Sequence, residues 1–183
     1  MILLAIDPGS LKTGFAIMKQ EAGRLVRLSS GALFLDAQQA LPQRLVCLAQ
    51  DIEELIQKYK PTELAIEKTF FAKNAQSALT LGQARGVLIL KAAEHRLEIF
   101  EYSATQVKSS LCGSGRASKD QIAFMVRQLL KLPKTFEFSG NDEADALAIG
   151  LTHGQTRGKL GVSSHDRATS RKTSSKDSNP IRH

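Results

Sequence analysis

Two short runs, Leu4-Ala5-Ile6-Asp7 and Leu64-Ala65-Ile66-Glu67, constrain the fold of this chain more than any other feature. Each is apolar without polar alternation and ends in a carboxylate, the pattern of a strand covered on both faces with an acid at its tip. Pro8 has no N–H to continue a ladder, so the first strand stops at Asp7. If the twins are neighbours in one sheet, Asp7 and Glu67 stand side by side at one edge, where like charges repel unless a cation lies between them. An acid after a strand also serves as a turn former or helix N-cap. The duplication, together with a third acidic element near the C-terminal end, favours a metal site.

The chain between and beyond the twins reads as an α/β domain. Residues 13–19 form a second strand, Glu21-Ala22-Gly23-Arg24 a hairpin turn, and residues 25–35 a third strand, so the first three strands make an antiparallel meander. Pro42 suits a first helical turn, and Leu45, Leu48, Ile52, Leu55 and Tyr59 then recur at spacings of three and four. Pro61 ends that helix, the second twin occupies residues 63–67, and a loop over 69–74 carries Phe70 and Phe71. A long helix follows over 75–95. Its Ala78, Gly82 and Gly86 make a smooth stripe, and each glycine costs the helix about 1 kcal/mol, which calls for tight packing within the fold or across a dimer. Residues 97–102 form a fifth strand, and residues 104–111 a short helix with Lys108. The loop Gly113-Ser114-Gly115-Arg116-Ala117 is basic, and Ser118-Lys119-Asp120-Gln121 has the form of a capping box. The last ordered element begins near Asn141 with Asp142, Glu143 and Asp145 in its first turn, where the helix dipole favours acids. Asp142 and Asp145 share one face beside the apolar stripe Ala144, Leu147, Ala148 and Leu151, so an acid stands where a core residue would pack and needs a partner.

With 183 residues and 42% hydrophobic content, one domain buries an adequate core. Cys47 and Cys112 lack any metal-ligand or disulfide spacing, and His95, His153, His165 and His183 are scattered, which places them on the surface or in the tail. The absence of a charged leader and of an apolar run near ~18 residues implies a soluble, cytoplasmic protein with no membrane partner. The net charge of +7 raises the prior for a nucleic-acid partner. Residues 155–183 carry seven Lys and Arg against two Asp, which leaves +2 for the body. The organisation is therefore one folded domain over 1–154 and a disordered basic tail over 155–183.

Four carboxylates on one sheet edge suit a hard cation such as magnesium or manganese. Two such ions about 4 Å apart activate water and stabilise the leaving oxygen of a phosphodiester. The residues that carry this reading also resemble one family in order along the chain. Ala5-Ile6-Asp7-Pro8-Gly9-Ser10 with Thr13-Gly14 come first, then Ala65-Ile66-Glu67 with Phe70 and Ala72-Lys73-Asn74-Ala75. Leu81-Gly82-Gln83-Ala84-Arg85-Gly86 and Asp142-x-x-Asp145-Ala146-Leu147-Ala148 complete the set. Together they closely resemble the RuvC Holliday-junction resolvases over about residues 1–154.

The resemblance implies an RNase H-like fold, a five-stranded mixed sheet flanked by helices. It implies a homodimer that cuts four-way DNA junctions with magnesium, by symmetric nicks in two strands of like polarity, in partnership with a branch-migration motor. It assigns Asp7, Glu67, Asp142 and Asp145 as the catalytic, metal-binding acids, with the position of Asp142 a histidine in some members. Phe70 matches an aromatic that stacks on a base, and Lys108 and Lys119 match basic residues near the scissile phosphate. Lys73, inside the matched motif, and Arg116, in the basic loop, join them as expected DNA contacts. Rival readings are an actin-like ATPase, whose phosphate loop Asp7-x-Gly9 also resembles but whose duplicated domain needs about twice this length, another RNase H-like nuclease, and a non-catalytic DNA-binding module.

Overall fold

In the computed structural model, which describes residues 1–68 and 74–160, five strands order as β3-β2-β1-β4-β5. They are β1 (Ile2–Asp7), β2 (Lys12–Glu21), β3 (Arg24–Phe34), β4 (Glu63–Lys68) and β5 (Glu98–Ser103). The meander pairs β1, β2 and β3 antiparallel, while β4 and β5 continue from β1 in parallel, so the sheet is mixed. The helices are α1 (Leu41–Tyr59), α2 (Ala75–Glu94), α3 (Ala104–Cys112), α4 (Lys119–Leu129) and α5 (Asn141–Leu160).

The centre of the sheet explains the unbroken apolar runs. Leu3, Leu4, Ala5 and Ile6 of β1 are all 0% exposed, because successive side chains enter opposite layers. Leu3 and Ala5 pack with α3, α4 and α5 on one face. Leu4 and Ile6 pack with Leu48, Ile52 and Ile56 of α1 and Ala84 and Leu88 of α2 on the other. Two capping boxes fix the starts of the short helices, Ser103 with Gln106 at α3 and Ser118 with Gln121 at α4.

The structure narrows the sequence reading at one place and corrects it at two. Among the described residues nothing packs on the smooth stripe of α2, since Ala78, Gly82 and Gly86 are exposed and a Cβ at either glycine would meet nothing within 4 Å, which leaves packing across a dimer as the expected reason for the glycines. The domain does not end at Gly154, since α5 continues to Leu160. Its last turns are tied to the body by Ser110, which donates to Gln155 at 2.6 Å, and by Arg157, which reaches Glu63 at 2.5 Å and lies 4.9 Å from the centre of the Phe100 ring. The remainder of the expected disordered tail, residues 161–183, lies outside the described residues, as do His165 and His183. Finally, His153 is neither on the surface nor in a tail but 0% exposed.

His153 sits in a buried polar chain at the end of the sheet opposite Glu67. Its Nε2 is 2.5 Å from Glu63 Oε2 and its Nδ1 is 2.8 Å from the Tyr102 hydroxyl, so a neutral ring donates to the first and accepts from the second. Burial outweighs the Glu63 carboxylate and holds His153 below the usual histidine value of 6.5. Below that value the unfolded chain therefore binds a proton that the folded one resists. Stability present above pH 6.5 is lost as pH falls through 6.5 towards the lower folded value. We expect His153→Gln to unfold at lower denaturant than the parent at neutral pH, with the gap narrowing towards pH 5. A gap that stays constant in urea titrations across this range would show that folding does not shift the proton affinity of His153, and one that widens towards pH 5 would show that the ring is protonated in the fold.

No described helix is long and apolar enough to cross a membrane.

Candidate metal centre

The in-register pairing of Ile6 with Ile66 on parallel strands carries the chain to Asp7 and Glu67 at adjacent strand tips, as the twin runs demand. The turn after Asp7 is drawn tight by Thr13, fully buried, whose Oγ1 donates to the Gly9 carbonyl at 3.1 Å and accepts from the Gly9 N–H at 3.3 Å. Side-chain bulk is excluded there, since a Cβ on Gly9 would lie 1.9 Å from the Lys12 carbonyl oxygen. At β4, Arg85 of α2 donates to the Glu67 carbonyl at 3.3 Å and pairs with Glu101 of β5, which anchors the strand tip from the opposite layer.

The third acidic element crosses this edge. α5 packs over β1, β2 and β3, and Gly14 lets it approach so closely that a Cβ there would lie 1.9 Å from the Asp142 backbone oxygen. Asp7 pairs with Gly14 across the β1–β2 ladder, so the close approach brings the first turn of α5 to the Asp7 tip. Glu143, 2% exposed, fastens that turn by accepting from the Ser139 N–H at 2.6 Å and from the Ser30 hydroxyl at 2.5 Å. The sequence reading saw in Glu143 only an acid favoured by the helix dipole. An acid at the third helical position, directly before the apolar stripe that begins at Ala144, was the available signal for this inward role.

The electrostatics report convergence. Burial first, then the charges of Glu67, Asp145 and Asp142, push the Asp7 carboxyl up to about 9, and Glu67 lies close enough to accept its proton. Burial and the Asp145 charge also raise Glu67, opposed by Asp7's hydrogen bond and by Lys119 and Lys108. Asp7, Glu67, Asp145, Lys108 and Lys119 line one cavity of about 290 Å³, whose wall also includes the apolar side chains of Val107, Ile122 and Ile149. Asp145 Oδ2 accepts from Lys119 Nζ at 3.0 Å, and this contact raises the lysine above its ordinary value. Asp142 stands outside that cavity and faces Lys12 Nζ at 2.9 Å. Arg116 is exposed in the α3–α4 loop and is not part of the cavity wall; Phe70 and Lys73 lie outside the described residues.

Among the described residues, no three Asp, Glu, His or Cys side chains close around a point as ready-made metal ligands. Four like charges do not assemble by themselves: Asp142 and Asp145 turn to lysines, and Asp7 holds a proton. The donor set still fits a hard divalent ion, being all carboxylate oxygen with no competing nitrogen or sulfur ligand.

The comparisons with known proteins decide the family. The family model described as Crossover junction endodeoxyribonuclease RuvC matches residues 3–153. The chain belongs to the RuvC family. A RuvC crossover junction endodeoxyribonuclease of Citrifermentans bemidjiense is 44% identical over 158 residues, 86% of this chain and 94% of that one. The solved structure of T. thermophilus RuvC in complex with Holliday junction substrate matches with a TM-score of 0.80 at 28% identity, covering 87% of this chain and 96% of that chain. The yeast mitochondrial Holliday junction resolvase Ydc2 shares the fold, with a TM-score of 0.61 at 19% identity over 87% of this chain and 80% of its own. The expected RNase H-like architecture of the RuvC family is thus the one observed.

Proposed function

We propose that this chain resolves four-way DNA junctions by magnesium-dependent hydrolysis of two phosphodiesters, with Asp7, Glu67, Asp142 and Asp145 as the residues that hold the metal. The observation that carries the reading is the Asp7 carboxyl pushed up to about 9 by its own burial and by the other three acids. Such crowding destabilises the metal-free site and is relieved when cations arrive. A pair of divalent ions, magnesium or manganese, supplies an activated water and charge stabilisation for the leaving oxygen. The chain's own groups do the rest. Lys108 and Lys119, at the cavity rim, hold the scissile phosphate and offset the charge that develops on it. Val107, Ile122 and Ile149 make part of the cavity wall apolar, which lowers the local dielectric and strengthens each of these interactions. Phe70, Lys73 and Arg116 are proposed as contacts to the opened DNA around the crossover.

Two cuts require two sites, and an isologous dimer presents them to a roughly two-fold substrate. The exposed stripe of α2, flanked by Leu79 at 59% and Leu90 at 56% exposure, supports α2 as the pairing surface. Gly82→Leu separates the two possible purposes of the glycine. Within one chain an added Cβ meets none of the described residues, and the change gains about 1 kcal/mol of helix propensity. Between chains it blocks close approach, so we expect the dimer to weaken about tenfold or more in sedimentation while the monomer unfolds at a higher temperature. Undiminished self-association would move the dimer surface elsewhere. A branch-migration motor as partner and a cytoplasmic setting complete the proposal.

The experiment that tests the substrate class compares cleavage of a four-way junction, a linear duplex, a flap and an RNA–DNA hybrid in magnesium. The reading predicts strong preference for the junction; equal cutting of the hybrid would point to a different RNase H-like nuclease.

A further inference from the structure

Asp142 and Asp145 of α5 each face a lysine, and one of these lysines lies outside the motifs that carry the family likeness. Lys12 opens β2 between Ser10 and Thr13, at a position that belongs to neither matched run. Its ammonium is fixed from several sides. Nζ lies 2.9 Å from Asp142 Oδ2, 3.5 Å from the Ser139 carbonyl oxygen, and 5.2 Å from the centre of the Phe34 ring, which is paired with Lys12 across the β2–β3 ladder. Gly140, at φ 153, completes the cradle: a Cβ there would lie 2.3 Å from Nζ. An ordinary solvated lysine has no such seat, and this one is only 27% exposed.

We propose that Lys12 is a positioning residue, a tethered counter-cation that holds the Asp142 carboxylate at the edge of the site and competes with the divalent ion for it. The inference rests on the metal-centre reading above and deepens it. Asp142 already burdens Asp7 with its charge, and Lys12 offsets that charge when no metal is present. An ammonium 2.9 Å from Asp142 Oδ2 repels a divalent cation that approaches the same carboxylate and draws on the charge that would hold it. Metal loading on the Asp142 side therefore works against Lys12, and removing the lysine's charge removes that competition. Asp145 faces the equivalent arrangement with Lys119, but there the lysine is 63% exposed and no glycine among the described residues forms a cradle for it, so it yields more freely.

The test measures Mn2+ binding to the DNA-free full chain by isothermal titration calorimetry, with free Mn2+ followed by electron paramagnetic resonance. Lys12→Met keeps the apolar stem and the contact with Phe34 but not the charge. We expect it to bind Mn2+ about fivefold more tightly than the parent, the size of a partly exposed ion pair. Lys12→Arg restores the charge and is expected to return binding to the parent level. Lys19→Met, at an exposed lysine paired with Glu21, is expected to change nothing. Thermal unfolding in EDTA separates a purely structural role, which would lower the melting temperature of Lys12→Met without tightening Mn2+ binding. Should Lys12→Met fail to fold, Lys12→Gln is read in the same way. Unchanged or weaker Mn2+ binding by a folded neutral variant overturns the proposal while leaving the four-carboxylate site intact. A parent that binds no Mn2+, or an Asp7→Asn variant that binds it like the parent, overturns the metal-centre reading itself.

Discussion

Asp7→Asn is expected to bind a four-way junction as tightly as the parent while its magnesium-dependent cleavage falls about a thousandfold or more. The asparagine fits the same space at the tip of β1, and nothing in the sheet requires the charge. The metal does, because Asp7 is the innermost of the four acids and the one on which the other three act. Removing one preorganised electrostatic group costs about a hundredfold to a thousandfold in other enzymes, and a direct ligand is expected at or above that range. A second consequence runs in the opposite direction. Asp7 is raised from 3.8 to about 9, so the metal-free fold retains a proton that the unfolded chain has lost. Stability present below pH 3.8 is thus lost progressively as pH rises towards 9. Asparagine has no proton to retain. In EDTA at pH 8 the variant should therefore melt at a higher temperature than the parent, with the advantage vanishing near pH 4. Single-turnover cleavage, gel shift without magnesium and thermal scans read the three outcomes. Nicking within tenfold of the parent would remove Asp7 from the site.

Gly14→Ala, a change of one methyl group at a residue with no chemistry, is expected to cut cleavage about a hundredfold. The added carbon would lie 1.9 Å from the Asp142 carbonyl oxygen and 2.4 Å from its carbonyl carbon, both backbone atoms that cannot rotate away. Either β2 or the start of α5 must move. Overpacking of this kind costs about 1 to 3 kcal/mol of stability, and a misplacement of about 1 Å at a catalytic group costs about a hundredfold in rate. Junction binding, which depends on a broader surface, should change little. Full cleavage activity in a folded Gly14→Ala protein would mean that the position of the α5 start is not critical.

These two variants also mark where the sequence was informative. Asp7 was legible because a central strand buried on both faces must be apolar throughout, and a carboxylate at its end, repeated at Glu67, breaks that rule twice in the same way. Asp145 was legible for the same reason on α5, where it occupies a core-facing position. The capping box at Ser118 is local and could be read directly; the equivalent box at Ser103 follows the same spacing.

What could not be read depends on partners distant in sequence. His153 looked like a stray polar residue because Glu63, which satisfies it, lies 90 positions away. The continuation of α5 past Gly154 rests on Arg157 meeting Glu63 and Phe100, whereas its composition resembles the tail. Asp142 and Asp145 were read on one helical face, with Asp145 where a core residue would pack and the relative roles of the two left open. The fold separates them, with Asp145 inside the cavity and Asp142 at its edge against Lys12. Lys12 itself gave no periodic or motif signal, since its significance comes from where Gly140 and Phe34 happen to pass.

The central claim is that one four-carboxylate centre per chain, paired by two-fold symmetry, cuts the two like strands of a four-way junction. The most direct measurement incubates the protein with a synthetic immobile junction in magnesium, with each of the four strands end-labelled in turn. The account predicts nicks in two strands of like polarity, at positions symmetric about the crossover, and no nicks in EDTA. Cuts distributed over all four strands, or cutting that persists in EDTA, would contradict it.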